Sequence, residues 1–227
     1  MIRMTKIAFA LGMACTIAGT GVGLAAPVNG VMLSPNKRIV VATGARHARA
    51  YRPTVGDGRI VLFDNLAKKD PKGVYMDGTG FSFGGPNSLI GYAALAAAFT
   101  PTQTATVTKV EVAAGYITGA KSAVEVTIYA DASGAPGATL WQGHAAMPVF
   151  GDCCDTVKLG VKTSLQLQAG TQYWVGLSAV PKGTDTFGAW DFNVADQVDA
   201  AQTAVDIGSG WMVSPSLPNV AFAVYGN

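Results

Sequence analysis

Charged side chains make up only 13% of the 227-residue chain, and just two of its 14 acidic residues are glutamates, Glu111 and Glu125. Long helical faces laced with Glu and Lys cannot be written with so few of them, so helix is expected to be a minor component. Histidine is equally rare. His47 and His144 stand 97 positions apart and no Cys-x-x-Cys pair occurs, which argues against a four-ligand zinc site. No nucleophile elbow, no serine with a credible histidine and no phosphate-binding loop is present, so catalysis has little support. Nor does the chain repeat itself at the roughly 20–50-residue period of solenoids.

What the chain has is glycine, 28 in all, set between short apolar and β-branched runs. That pattern points to an all-β domain with many turns. The formal charge of +2 hides a division: residues 27–73 hold nine Lys/Arg against three Asp, and residues 74–227 hold five Lys against eleven acidic residues. A basic front therefore precedes an acidic body. Only Tyr51, beside Arg52, puts an aromatic ring among the basic residues, so nucleic acid is not an expected partner.

Residues 1–26 read as an export signal: Arg3 and Lys6, then an apolar run from Ile7 to about Leu24, then small residues at Gly23, Ala25 and Ala26. An uncleaved anchor is the rival, since the run approaches a spanning length, but its glycines and small-residue exit favour cleavage and leave no span afterwards. A lipoprotein reading at Cys15 is disfavoured by Gly12. Residues 27–57, with Pro27, Pro35, Pro53 and five basic residues, read as an irregular, partly disordered basic arm; Ile39-Val40-Val41 is its one strand-like run.

Residues 58–227 read as the β-sandwich domain. Ile60-Val61-Leu62-Phe63 begins it, and the glycine-rich residues 74–88 are expected to form a loop or irregular edge. Ile90 to Phe99 is apolar and alanine-rich, ambiguous between helix and strand, and is taken as a strand from its context. Val124, Val126 and Ile128 alternate with Glu125, Thr127 and Tyr129. After an expected tight turn at Ala169-Gly170-Thr171, Tyr173, Val175 and Leu177 face one way and Trp174, Gly176 and Ser178 the other. About ten such strands suggest a two-sheet antiparallel sandwich, a jelly roll by expectation. The last, Val220 to Tyr225, leaves no room for a C-terminal anchor.

The runs Phe99-Thr-Pro101, Val126-Thr-Ile-Tyr129-Ala-Asp131, Ser133-Gly-Ala-Pro-Gly137, Leu140 and Leu167-Gln-Ala-Gly-Thr-Gln-Tyr-Trp-Val175 resemble secreted bacterial β-sandwich domains of the "choice-of-anchor" type. The resemblance covers roughly residues 59–227. It implies an exported sandwich and says little about ligand. Those domains take their name from the surface-attachment signals that follow them. With no such signal expected here, a freely secreted or periplasmic form fits better.

Four features carry candidate chemistry. Cys153 and Cys154 are adjacent, and their Cα atoms lie only about 3.8 Å apart across a trans peptide, against the roughly 4.4 Å minimum of ordinary disulfides. A strained vicinal disulfide, two buried thiols and a bridge to another chain all remain open. Calcium, the one cofactor considered, would use Asp152 with Asp155 or Asp185 with Asp191, which otherwise cap turns. Glu111 and Glu125 would serve a glycosidase as cross-strand neighbours about 5–10 Å apart, or else are solvent-facing charges beside Lys109 and Lys121. Trp141, Trp174, Trp190 and Trp211 with Tyr129, Tyr173 and Tyr225 form the aromatic set of a sugar-binding surface or a core. Trp174 and Trp190 are the two expected to reach a ligand. Non-catalytic binding of glycan or extracellular matrix is thus the leading expectation, with a structural or interaction protein of the envelope as the alternative and a carbohydrate-active enzyme third.

Overall fold

A computed structural model describes residues 60–66, 79–119, 123–150, 156–180, 185–193, 202–214 and 217–227 in full, and the backbone of residues 32–33, 40–43 and 75–78. The strands run β1 (Met32–Leu33), β2 (Val40–Thr43), β3 (Ile60–Asp64), β4 (Tyr75–Gly84), β5 (Ala94–Phe99) and β6 (Ala105–Val112). Then come β7 (Ala114–Thr118), β8 (Ala123–Asp131), β9 (Pro136–Ala146), β10 (Val157–Gly160) and β11 (Gln166–Leu167). β12 (Tyr173–Ala179), β13 (Phe187–Asn193), β14 (Thr203–Asp206), β15 (Trp211–Ser214) and β16 (Phe222–Gly226) complete the order. No helix occurs among the described residues, and so none there is long and apolar enough to cross a membrane.

β12 shows why these residues make sheet. Its turn forms as expected, with Gly170 at a φ of 73°. Beyond it the strand pairs with β5 on one side, Val175 against Ala97, and with β8 on the other, Val175 against Ile128. Tyr173, Val175 and Leu177 enter the main core. Full burial of such a side chain is worth roughly 1.5–3 kcal/mol, which is why the alternation pins the register. The complete six-stranded order is β15-β14-β5-β12-β8-β9. Of Ile90 to Phe99, only Ala94–Phe99 resolves as strand β5, buried along its whole length, while residues 90–92 are turn and bend and Ala93 makes an isolated bridge to Gly84. Alanine's helix preference yields to pairing on both edges.

Facing this sheet are two smaller ones, β1-β2-β4-β13-β7 and β10-β6-β16-β3, with β11 beside β6. They meet where β6 passes into β7. Ala113 N–H donates to Ala221 O (3.0 Å), Asp191 N–H to Ala113 O (2.8 Å) and Ala221 N–H to Asp191 O (2.8 Å). Phe81, Phe83, Trp190 and Phe192 from one, and Leu62, Val110, Val112, Phe222 and Val224 from the other, join the inner face of the six-stranded sheet in one core. Phe222 lies among the rings of Phe63, Phe99 and Trp190, with centroids 4.6, 5.9 and 5.8 Å away. The all-β antiparallel sandwich class is the one expected. The strand orders do not by themselves define a jelly roll.

One expectation is corrected. Residues 75–84 are not a loop but the ten-residue strand β4, paired with β2 and β13. Gly80 is there for close approach, since a Cβ would fall on the carbonyl of Trp190. Of the strand-like run Ile39-Val40-Val41, Val40 and Val41 lie in β2, in which Val41 pairs with Phe81 and the following Ala42 with Gly80, while Ile39 lies outside the described residues. The rest of residues 1–59, including the expected export signal and His47, lies outside the described residues.

Candidate binding site

The outer face of the six-stranded sheet is built on small residues. Where register puts a side chain on that face, β5 supplies Ala94, Ala96 and Ala98, β14 supplies Ala204, and β12 supplies Gly176. This low strip lets large rings from the flanking strands lean inward over it. Tyr129 of β8 does so: a Cβ on Gly176 would stand 2.6 Å from Tyr129 Cε2. Trp211 of β15 reaches in from the other side, and the two rings meet edge to face at 5.8 Å between centroids.

Trp174 lies beneath them. Its outward direction is as expected, but its exposure is not: it is 0% exposed, packed with Ala96, Ala98 and Ala204 under Tyr129, Trp211 and Val213. Its indole Nε1–H donates to Asp131 Oδ1 at 2.8 Å, so the ring's one polar atom is satisfied. Asp131 also accepts from Gln172 Nε2 at 2.8 Å and, through Oδ2, from Gly134 N–H at 3.0 Å. Partial burial pushes the Asp131 carboxyl up, but these three hydrogen bonds outweigh it and hold it below the usual aspartate range.

Trp174 is thus a foundation, and the accessible chemistry lies above and beside it. Tyr92, in the bend before β5, is 38% exposed next to the turn at Gly208. Trp211 and Tyr129 are half-buried. Along the same row, Asp206 pairs with both Trp211 and Ala94, and Glu125 pairs with both Ser178 and His144. Glu125 Oε2 is 2.7 Å from His144 Nε2, and Ser178 Oγ is 3.5 Å from Glu125 Oε1. Asp206 Oδ1 accepts from Gly208 and Gly210 N–H at 2.8 and 3.0 Å. Burial first, then the charges of Asp206 and Glu125, raise the Tyr92 hydroxyl; burial likewise leads for Tyr129, partly offset by a hydrogen bond with Thr127. Both phenols therefore stay protonated as donors at neutral pH.

Glu125 stands between the hydroxyl and the imidazole, so His144 is not placed to take a proton from Ser178. What the face can do is hold a flat, polar ligand by ring contact and by hydrogen bonds to acids, phenols and imidazole. Of its contact residues, the sequence singled out only Tyr129 and Trp211 as ring candidates and Glu125 as an acid. Tyr92 was missed, because it lies in the bend before β5, where no strand alternation assigns it a face.

The other sequence candidates do not come together here. Trp190 is 0% exposed in the main core, its Nε1–H donating to Ala221 O at 2.9 Å, so it presents no ring to a ligand. Glu111 and Glu125 are not cross-strand neighbours, because the chain changes sheet after β6. Glu111 pairs with Lys158 and Ala223, and Glu125 with Ser178 and His144. Asp185 stands two residues before β13, and Asp191 is the fifth residue of that strand and buried. Among the described residues no group of three or more His, Cys, Asp or Glu could hold a metal. Asp152, Cys153, Cys154 and Asp155 lie outside the described residues. No protein-family model matches the chain, and no curated protein does either.

Proposed function

We propose that this is an exported, non-catalytic binding protein that holds a glycan on the outer face of its six-stranded sheet. The observation that carries the reading is the meeting of Trp211 and Tyr129 over a strip of alanine and glycine, with Tyr92 exposed beside them. Rings supported in this way offer flat apolar surface at little further cost in side-chain entropy, which suits a sugar face. Glu125, Asp206, His144 and the two phenols supply the directional partners that sugar hydroxyls need. The resemblance to secreted sandwich domains and the expected export signal support a glycan met outside the cytoplasm, in the periplasm or beyond the cell.

The test is a glycan array probed with the exported chain and with Trp211→Ala and Tyr92→Ala. Binding of at least one glycan class, weakened about tenfold or more by each substitution, is expected from the loss of roughly 1–2 kcal/mol of ring contact. A wild-type protein that binds no glycan on the array sinks the reading.

A further inference from the structure

The face is lopsided in charge. Where register puts residues on it, the full charges belong to Glu125, Asp206 and Asp131, and no lysine or arginine joins them among the described residues. His144 is the one basic group there, bound to Glu125. The described lysines, Lys109, Lys158 and Lys162, belong to the opposite layer or its connection. Both carboxylates nearest the rings are fixed. Glu125 is held by His144 and flanked by Ser178, and Asp206 is held through Oδ1 by two backbone amides, while its Oδ2 has no partner among the described residues. Burial first, and after it both carboxylates, raise the Tyr92 and Tyr129 hydroxyls.

From this arrangement we infer that the glycan carries free amino groups: the ligand is an amino-sugar polymer whose ammonium groups are taken by Glu125 and Asp206 beside the rings of Tyr92, Tyr129 and Trp211. The inference rests on the glycan reading above and narrows it. Two physical effects favour a cation there. Fixed carboxylates attract it directly, and the negative faces of aromatic rings attract it again within about 6 Å. A chain of sugars fits better than a single ammonium headgroup because the row is long. From Trp211 on β15 to His144 on β9 it crosses six strands, five gaps of about 4.8 Å each, about 24 Å along the sheet.

The experiment is calorimetric titration with a β-1,4-linked glucosamine hexamer, its fully N-acetylated counterpart, hexalysine, and phosphatidylcholine vesicles. The free amine form is expected to bind at least about tenfold more tightly than the acetylated form, and Asp206→Asn and Glu125→Gln are each expected to erase about that factor while leaving melting temperature nearly unchanged. Asparagine keeps an acceptor for Gly208 and Gly210, so the turn survives the first substitution; the second touches no backbone bond. Equal binding of the two hexamers, or preference for the acetylated one, overturns the amine inference and leaves the glycan reading standing. Hexalysine binding as tightly as the amino sugar reduces the site to bare charge and also overturns it. Vesicle binding without hexamer binding overturns it in favour of a lipid headgroup. If neither hexamer binds while other array glycans do, the inference alone fails; if no glycan binds at all, both fail.

Discussion

The chain's two glutamates define two outer faces that differ in almost every respect. Glu111, on the sheet of β10, β6, β16 and β3, is 2% exposed and clamped: Lys109 Nζ lies 2.9 Å from one oxygen, and Thr156 Oγ1 at 2.6 Å and Lys158 Nζ at 3.8 Å approach the other. Lys109 also sits 4.3 Å from the centre of the Tyr225 ring. Glu125, on the six-stranded sheet, is 19% exposed and carries one imidazole, itself half in solvent. The first face is closed upon itself, with its charges neutralised at home. Among the described residues the second keeps net negative charge and open rings. Strand alternation set both glutamates outward, so what separates a structural carboxylate from an available one is the number of cations that its neighbours bring.

The sharpest way to break this contrast is to remove the foundation of the open face. Trp174→Ala deletes a fully buried ring from beneath Tyr129 and Trp211 and removes one of the three donors to Asp131. A loss of about 3–5 kcal/mol in urea unfolding is expected, as for other large-to-alanine core substitutions. A loss below about 1 kcal/mol would mean that Trp174 is not the buried support described above.

That support was only half legible in the sequence. The alternation of Tyr173, Val175 and Leu177 identified the core face of β12, and it placed Trp174 on the other side. Period two assigns a face but not its cover. Trp174 is buried because Trp211 and Tyr129, 37 and 45 positions away, arrive over alanines whose smallness read simply as apolar. The glycines of β4 misled for a related reason: turn residues and close-approach residues are the same amino acid, and only the partner carbonyl of Trp190 separates them. Glu111 and Glu125 looked like neighbours because a hairpin is the default link between adjacent strands. The change of sheet at Ala113 is held by Asp191 and Ala221, backbone partners remote in the chain.

A smaller effect sharpens the glutamate comparison directly. Glu111→Gln removes a buried charge that two lysines share, and charge-assisted hydrogen bonds of this kind are worth about 1.5–3 kcal/mol. Lys109 and Lys158 are 22% and 57% exposed, so water takes up part of their loss and about 1–2 kcal/mol of destabilisation is expected. Glu125→Gln breaks a pair whose histidine is 51% exposed and should cost less than about 0.5 kcal/mol. Equal costs in parallel denaturant titrations would abolish the distinction between a closed and an open face.

The smallest expected effect is an acid one, at the far end of the open face. Asp131 is titrated below its ordinary range because Gly134, Trp174 and Gln172 all donate to the ionised carboxylate and together outweigh the burial that opposes them. A carboxyl whose folded pKa is depressed binds fewer protons folded than unfolded, so its contribution is complete above the unfolded value of about 3.9 and disappears as pH falls through the folded value. Wild type should therefore lose more stability between pH 6 and pH 2.5 than Asp131→Asn, in which the group cannot titrate. The other carboxylates respond in both proteins and cancel in the difference. Because Asp131 is partly solvated, the difference should also shrink in high salt. If the midpoints of the two proteins fall in parallel with pH, the donors around Asp131 do not favour its charged form, and the Trp174 indole would then be held by packing alone.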